Sequence, residues 1–411
     1  MPISQTVPIV VVSKRAATRL RQGHVWVYRS DIPEVSSLPA AALVHMADEK
    51  GKPLGSALSS SSSQIALRLV SQTQLASDAE LISLVRQRVQ QALRYRKLVA
   101  PEDNTNNAYR LIFSEADGLP GLIADGYNDV ITLQLLTQAM NREDLRQAVI
   151  DELVGGKMSK SPRPLTVVER VDARTREFEN LPASESKIVA GEKAHTIFSL
   201  NGLKFHYDAL AGQKTGAFLD QRENYAAAEN YAHGNALDVF CYEGGFSLHL
   251  ARRCRSVTGV DSSRPALEAG EKNARLNKKQ FVSGEIEWIE ANAFDLLKDY
   301  AVGGKAYDTI VLDPPAFAKS KRTLETALRG YKEINLRALK MLRPGGVLVT
   351  CSCSFHVTES EFLEMLSAAA LDAHKKVTIF EKRSQSKDHP MLLGVPETAY
   401  LKCLICQVNQ T

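Results

Sequence analysis

Two short segments in the C-terminal part of the chain combine residue types that could carry out covalent chemistry. Asp313-Pro314-Pro315 follows an apolar run typical of a buried strand, and prolines there fix an extended turn without N–H donors. This turn would expose the Asp313 carboxylate and nearby carbonyls, which could bind the edge of a planar base. A later strand ends in Cys351-Ser352-Cys353-Ser354. Because side chains alternate along a strand, we predict that the cysteines share one face and the serines the other, with a thiol as candidate nucleophile.

Three earlier strand ends carry residues suited to a nucleoside-containing cofactor. The run Ala236–Phe240 breaks into the turn Cys241–Phe246, whose glycines permit sharp bends and close approach to a ligand. The next strand ends at Asp261, which could accept both ribose hydroxyls, and a third ends at Asn292, which could bond an adenine edge. Each signal alone is weak, and Asp261 alone would be an ordinary helix N-cap, but the three occur in order. The turn lacks GxGxxG, which disfavours an NAD-type oxidoreductase.

The elements that must position these residues alternate between strands and helices from about residue 235 onward. ALDVFC, SVTGVD, IEWIEAN, YDTIVLD and GGVLVTCS are strand-like, and one of the intervening helices is expected from Pro265 to Asn277. This alternation predicts an α/β fold with a parallel, doubly wound sheet, in which ligands bind at the carboxyl ends of the strands.

The N-terminal half has a different pattern. Residues 1–75 contain the strand-like runs VPIVVV, HVWVY, AALVHMA and QIALRLV, which predict a small β domain. Ser77–Glu80 is a capping-box signature that opens a helix ending before Pro101. Residues 109–180 alternate strand-like runs around a helix from about Glu143 to Leu153, which predicts a small α+β domain.

Taken together, the motifs resemble the bacterial family of 23S ribosomal RNA large-subunit methyltransferase I. The matching segments span nearly the whole chain in order: GHVWVYRSDI (23–32), SEADGLPGLIAD (114–125), KTGAFLDQREN (214–224), DVFCYEGGF (238–246), LDPPAFAKSK (312–321) and CSCS (351–354). The resemblance implies a PUA-like RNA-binding β domain over residues 1–75, a central α+β domain with a basic linking helix over 76–190, and a Rossmann-like class I methyltransferase domain over 191–411. It also implies S-adenosylmethionine as cofactor and 5-methylcytosine in 23S rRNA as product.

The resemblance assigns roles to individual residues. RNA 5-methylcytosine enzymes carry their nucleophile seven residues after the second glycine of the strand-opening pair, and counting from Gly346 gives Cys353. Asp313 would bond the base, while Ala316 stands where many such enzymes have a second cysteine that assists product release. Glu243 replaces the small polar residue of many relatives. The expected cofactor contacts are Gln221, Asp238, Tyr242, Gly244, Gly245, Phe246, Asp261, Asn292, Ala293 and Asp313.

The distribution of charge favours a polyanionic partner more than the net charge of +4 does. Residues 1–30 hold five basic residues and no acid, and the helix after residue 80 has a basic face. The expected phosphate contacts are Lys214, Arg222, Arg86 and Arg88.

Two alternative functions stay open. One is an enzyme that methylates a base nitrogen, since D-P-P motifs also hold amino groups, and the other is a non-catalytic RNA-binding assembly factor.

Composition excludes several other classes. Apolar residues make up 44% of the chain, no run approaches the about 18 apolar residues of a membrane helix, and no signal peptide precedes the first strand. Six cysteines do not form a disulfide framework, and the Cys403–Cys406 pair lacks the second pair of a metal site. We therefore expect a cytoplasmic enzyme without metal or membrane partner; a homodimer is possible.

Overall fold

The computed structural model describes residues 7–155, 165–210, 217–318 and 320–410. Backbone contacts divide the chain into two compact units. The first comprises residues 1–198, 207–216 and 387–398, and the second comprises residues 199–206, 217–386 and 399–411. Among the described residues, no helix is both long and apolar enough to cross a membrane.

The first unit begins with a five-stranded sheet and one short helix. Its elements are β1 (Ile9–Val12), α1 (Lys14–Arg21), β2 (Trp26–Tyr28), β3 (Leu43–Asp48), β4 (Pro53–Ser59) and β5 (Ile65–Ser71), with the strands in the order β1-β3-β4-β5-β2. The helix begins at Ser13, whose hydroxyl accepts a hydrogen bond from the Ala16 N–H, and it buries Ala16, Ala17 and Leu20 against the sheet. The predicted N-terminal β domain is therefore present.

A second five-stranded sheet completes most of the first unit. Its elements are α2 (Asp78–Val99), β6 (Ala108–Phe113), β7 (Leu122–Tyr127), β8 (Val130–Leu135), α3 (Glu143–Gly155), β9 (Thr166–Glu169), α4 (Ala173–Phe178) and β10 (Lys187–Ala190), with strand order β10-β9-β8-β7-β6. The Ser77 hydroxyl caps α2 by accepting from the Glu80 N–H, which confirms the predicted helix start, but the Glu80 side chain accepts from the Ala76 N–H and not from the Ser77 N–H that a capping box requires. Leu43 and Val70 of the first sheet pack in the same apolar core as α2, so the predicted 1–75 and 76–190 regions share core contacts. A hairpin of β11 (His195–Leu200) and β12 (Leu203–Asp208) follows.

The second unit is built on a seven-stranded sheet flanked by helices. Its strands are β13 (Asn235–Val239), β14 (Ser256–Asp261), β15 (Ile286–Glu290), β16 (Tyr307–Leu312), β17 (Leu342–Ser352), β18 (Lys375–Arg383) and β19 (Lys402–Gln410), in the order β15-β14-β13-β16-β17-β19-β18. Its helices are α5 (Arg222–Tyr231), α6 (Gly245–Ala251), α7 (Arg264–Asn277), α8 (Ala293–Val302), α9 (Leu324–Met341) and α10 (Glu359–Asp372). This architecture confirms the predicted doubly wound α/β fold.

Strand register brings the predicted site residues to one edge of this sheet. The five strands β13 to β17 run parallel, and Leu312 lies opposite both Val239 and Thr350. The carboxyl ends of β13, β16 and β17 are therefore level, and Asp313 and Cys353 follow directly from two of them. Strand β19 runs antiparallel between β17 and β18, so its amino end lies at the same edge.

Candidate active site

The turn between β13 and α6 is strained and held by the neighbouring strand. Phe240 and Tyr242 have φ of +69° and +49°, values that cost a residue with a side chain about 1–2 kcal/mol each. The N–H groups of Phe240 and Cys241 both donate to the Val260 carbonyl, at 2.9 and 3.0 Å. Gly244 has φ of +86°, and a Cβ there would lie 2.5 Å from Leu248. Glycine is thus required at this position by conformation and by packing.

Asp261 ties this turn to the end of β14. Its Oδ2 accepts from the Tyr242 N–H and its Oδ1 from the Ser263 N–H, both at 2.9 Å. Ser263, not Asp261, caps helix α7, which removes the ordinary N-cap explanation for this carboxylate. A carboxylate offers about four acceptor positions, so two remain for hydroxyl donors.

Asn292 and Asp238 present further polar atoms at the same edge. The Asn292 Oδ1 caps α8 by accepting from the Phe294 and Asp295 N–H groups, and the described residues offer its Nδ2 no partner. Asp238 is buried; its Oδ2 accepts from the Ser247 hydroxyl at 2.6 Å. Its Oδ1 has no hydrogen-bond partner within the described part of the chain, and burial raises its pKa to about 7. A buried acceptor of this kind indicates a place for an absent donor.

Gln221 and Asp313 form a hydrogen-bonded pair beneath the turn that follows β16. Gln221 Nε2 donates to Asp313 Oδ1 at 2.9 Å, and the Asn224 amide donates to Gln221 Oε1 at 2.6 Å, which fixes the orientation of Gln221. Burial raises the pKa of Asp313 to about 8, helped by the charges of Asp220 and Asp238, while the Gln221 bond acts in the opposite direction. Asp313 is therefore largely a protonated carboxyl at neutral pH.

The two cysteines of the CSCS segment occupy different environments. Of the six cysteines, Cys353 alone is partly exposed, and its Sγ lies 3.8 Å from the Pro314 carbonyl. Cys351 is fully buried, and burial together with Cys403 and Asp313 raises its pKa well above the ordinary value, so it remains a thiol. Because β17 ends at Ser352, the alternation that we used to place both cysteines on one face does not extend to Cys353.

The two serines of this segment fix its conformation. The hydroxyls of Ser352 and Ser354 both lie 3.0 Å from the hydroxyl of Tyr331, which is buried on α9. Ser354 Oγ also accepts from the Ala318 N–H at 3.1 Å, which joins the segment to the Asp313 turn. Tyr331 carries no sequence signal of this role because its position matches the apolar face of α9.

Comparisons with known proteins place the chain in a family. Residues 162–405, more than half of the chain, match a family model described as S-adenosylmethionine-dependent methyltransferase, and residues 10–72 match a PUA-like domain. A ribosomal RNA large subunit methyltransferase I of Pseudoalteromonas translucida is 35% identical over 395 residues, covering 95% of this chain and 96% of that protein. A protein of the same name from Yersinia pestis is 33% identical over 98% of this chain and 100% of its own length.

The chain belongs to the ribosomal RNA large subunit methyltransferase I family. A putative S-adenosylmethionine-dependent methyltransferase from Streptococcus mutans has the same fold, with a TM-score of 0.80 at 19% identity over 98% of this chain and 100% of that one. A putative methyltransferase solved with S-adenosylhomocysteine gives a TM-score of 0.81, again at 19% identity and with the same coverage. The cofactor of this protein is S-adenosylmethionine.

The polar atoms at the sheet edge fit that cofactor. The buried Oδ1 of Asp238, to which no described residue donates, suits a cationic donor such as the cofactor's amino group. The remaining acceptor positions of Asp261 suit ribose hydroxyls, and the Asn292 Nδ2 suits a ring nitrogen of adenine. These protein atoms are therefore compatible with the amino group, the ribose hydroxyls and the adenine of the molecule.

The described arginines that were predicted to contact phosphate have partners within the protein. Arg86 forms ion pairs with Asp151 and Glu152 at 2.8 and 3.2 Å, and the Arg88 guanidinium donates to the Gly118 and Val70 carbonyls. Arg222 is buried, 3.6 Å from a Glu223 oxygen. Lys214 lies outside the described residues.

Arginines near the N-terminus are also paired. Arg15 and Arg19 form ion pairs with the buried Asp31, and Arg21 pairs with Asp48. The basic character of residues 1–30 is thus partly neutralised by acids that follow in the sequence. None of these contacts tests RNA binding directly.

Proposed function

We propose that this protein transfers a methyl group from S-adenosylmethionine to carbon 5 of a cytosine in 23S ribosomal RNA, with Cys353 as the nucleophile. One observation carries the proposal: the partly exposed thiol of Cys353 lies 3.8 Å from the Pro314 carbonyl, within the turn that presents Asp313. Thiol and base-binding carboxyl are thus adjacent at the carboxyl edge of the sheet, where ligands bind in this fold.

The cofactor would be held along the first three strand ends. In this proposal Asp238 binds the amino group, Asp261 the ribose hydroxyls, and Asn292 with the Ala293 backbone the adenine. The turn residues Tyr242, Gly244, Gly245 and Phe246, together with Gln221 and Asp313, would line the remainder of the site. When bound, S-adenosylmethionine supplies an electrophilic methyl group.

Cys353 has the task of activating a carbon that is a poor nucleophile. Its thiolate adds to carbon 6 of cytosine, and the electrons of the 5,6 double bond become available at carbon 5, which takes the methyl group while the methyl–sulfur bond breaks. A base then removes the proton from carbon 5. The double bond re-forms as the bond between Sγ and carbon 6 breaks, which releases the thiolate and leaves the enzyme unchanged.

Asp313 would stabilise the charge that develops during addition. Addition at carbon 6 pushes electron density towards N3 of the ring, and a protonated carboxyl can donate a hydrogen bond there. The pKa of about 8 keeps Asp313 largely protonated at neutral pH, as this role requires. The missing cysteine at Ala316 leaves the carbon-5 proton to another base.

The RNA substrate follows from the relatives and from the PUA-like match. Both curated relatives are named ribosomal RNA large subunit methyltransferases, and residues 10–72 match a PUA-like domain. We take residues 1–75 as the RNA-binding domain, 76–190 as the central domain and 191–411 as the catalytic domain. The target cytosine must be unpaired or flipped out, because thiol addition requires access to the face of the ring.

Radiolabelled methyl transfer to deproteinised, unmodified 23S rRNA tests the proposal, with the methylated nucleoside identified by mass spectrometry. Wild type should give 5-methylcytosine, Cys353→Ala should give none, and the matched variant Cys351→Ala should retain transfer. Activity of Cys353→Ala, or a base methylated on nitrogen, would overturn the cysteine mechanism. RNA binding by wild type without any methyl transfer would instead indicate an assembly factor.

A further inference from the structure

Lys402, the first residue of β19, lies beside the segment that carries Cys353. It is directly opposite Ser352 in the antiparallel pairing of β17 and β19. Its Nζ donates to the Ser354 carbonyl at 2.6 Å and to the Tyr400 carbonyl at 2.9 Å. The ammonium is therefore fixed against the carbonyl of the residue that follows Cys353, and these two bonds use two of its three N–H groups.

Two acidic groups act on the charge of the Lys402 ammonium. Burial lowers its pKa to about 8, while a thiolate at Cys353 and the carboxylate of Glu361 on α10 act to raise it. Glu361 is already engaged in the capping box of α10, where one carboxylate oxygen accepts from the Thr358 N–H and hydroxyl, both at 2.7 Å. Within the described residues, Lys402 therefore forms no ion pair with a carboxylate.

The surroundings of Cys353 point to the same pairing. Tyr331 on α9 also interacts with the charge of Cys353, and burial raises the pKa of this phenol, so it stays neutral. Cys351, two residues earlier, instead faces Asp313 and Cys403 and is buried as a thiol. Lys402 thus lies next to the partly exposed Cys353, whereas a carboxyl group and a thiol group lie next to the buried Cys351.

We infer that Lys402 is a positioning residue whose fixed ammonium favours the thiolate form of Cys353 and so prepares the nucleophile before the base arrives. The inference rests on the proposed role of Cys353. An opposite charge within about 4–6 Å favours the ionised form of a group, and half-buried pairs are screened less by salt than exposed ones. Lysine suits the task because its compact ammonium donates to the two carbonyl oxygens and keeps a third N–H donor.

The reactivity of Cys353 towards iodoacetamide between pH 5 and 9.5 tests the inference, with alkylation of its peptide followed by mass spectrometry. The other five cysteines are buried, so the native protein reports chiefly on Cys353. Wild type should show a midpoint below about 8.5, the ordinary cysteine value. Lys402→Met should raise this midpoint by about one unit or more, and Lys402→Arg should restore most of the shift.

Lys382→Met is the matched control, because Lys382, on the neighbouring strand β18, forms an exposed ion pair with Glu359 of helix α10. Its midpoint should equal that of wild type. An unchanged midpoint in Lys402→Met would overturn the inference. If Lys402→Met fails to fold, the alkylation midpoint of wild-type Cys353 is the test. A midpoint at or above about pH 8.5 overturns the inference, and a lower one supports it.

Methyl transfer measured in parallel separates this inference from the proposed function. Alkylation needs neither RNA nor cofactor. A low Cys353 midpoint without any 5-methylcytosine would overturn the proposed reaction and support the role of Lys402. A high midpoint with Cys353-dependent 5-methylcytosine would overturn the role of Lys402 alone. If the proposed reaction and the role of Lys402 are both correct, Lys402→Met should lower kcat about tenfold at pH 7 and leave KM for RNA unchanged. The loss in kcat should be smaller at higher pH.

Discussion

Gln221 Nε2 donates a 2.9 Å hydrogen bond to Oδ1 of Asp313, which joins the segment before α5 to the turn after β16. Asn224 holds Gln221 from the other side through its Oε1 at 2.6 Å. The bond favours the ionised form of Asp313, whereas burial and the charges of Asp220 and Asp238 favour the protonated form. Gln221 therefore lowers the pKa of Asp313, whose proton the proposed chemistry needs.

Gln221→Leu should move the alkaline limb of methyl transfer to higher pH. Loss of the donor removes the contribution that lowers the pKa of Asp313, so its value rises above about 8 and the carboxyl stays protonated further into the alkaline range. Single-turnover rates from pH 6 to 10 with saturating cofactor and RNA would measure the shift. Gln280→Leu makes the same chemical change on an exposed side chain as control. A limb that stays in place, or moves to lower pH, contradicts the role of Asp313 as donor.

Affinity for the cofactor product should depend on pH through Asp238. The buried carboxyl has a pKa of about 7 in the free protein and must ionise to pair with the ligand's amino group. Binding is then constant above pH 7 and weakens by up to tenfold for each unit below it, because a proton must be released first. Calorimetric titration with S-adenosylhomocysteine between pH 5.5 and 7.5, where its amino group remains charged, would give this slope.

Asp238→Asn provides the control for that titration. The amide cannot ionise, so binding should be weaker at pH 7.5 and flat across the range. Calorimetry of wild type at pH 6 in two buffers of different ionisation enthalpy should show close to one proton released. Equal pH dependence in wild type and Asp238→Asn would show that another group controls binding.

Tyr331→Phe should loosen the segment that carries Cys353. The change removes the hydroxyl that lies 3.0 Å from both Ser352 and Ser354, leaving two buried hydroxyls short of a partner at a cost of about 1–2 kcal/mol. The melting temperature should fall and kcat should fall with it, while affinity for the cofactor is retained. Tyr300→Phe, on the partly exposed face of α8, should change neither. An unchanged kcat in Tyr331→Phe would show that the serines do not need this hydroxyl.

The fold of the catalytic unit could be predicted because its local signals agree with one another. Alternating strand-like runs and helices, the glycine turn at 241–246 and the Asp313-Pro314-Pro315 turn all lie where an α/β sheet requires them. The helix predicted from Pro265 to Asn277 begins one residue earlier, at Arg264. Carboxyl ends of parallel strands meet at one edge in any such sheet, so the order of strand ends was sufficient to assemble the candidate site.

The contacts that tune the site depend on pairings that local sequence does not encode. Lys402 reaches Ser354 only because β19 inserts antiparallel beside β17, a register that no nearby residue specifies. The position of Tyr331 in α9 matches the buried face of that helix, and the position of Arg88 in α2 matches a solvent-exposed face. Their hydroxyl and guanidinium groups find buried partners through tertiary packing alone.

Arg86 and Arg88 should respond differently to substitution, although they lie two residues apart on α2. Arg86 is paired with the partly exposed Asp151 and Glu152, so Arg86→Ala should change stability by less than about 1 kcal/mol. Arg88 is largely withdrawn from solvent and satisfies the Gly118 and Val70 carbonyls. Arg88→Ala leaves both carbonyls without their donor and should cost about 2–3 kcal/mol, measured by urea unfolding.

RNA binding at several salt concentrations then tests the proposed phosphate contacts of these two arginines. A residue that neutralises one phosphate contributes a slope of about 0.7–0.9 to the dependence of log affinity on log salt. Arg86 can exchange its exposed acidic partners for a phosphate, so Arg86→Ala should reduce the slope by about that amount. Arg88 is committed to backbone carbonyls, so a conservative Arg88→Lys should leave the slope unchanged. If instead Arg88→Lys weakens binding with a lower slope while Arg86→Ala has no effect, the phosphate contact belongs to Arg88, and its carbonyl bonds must open when RNA binds.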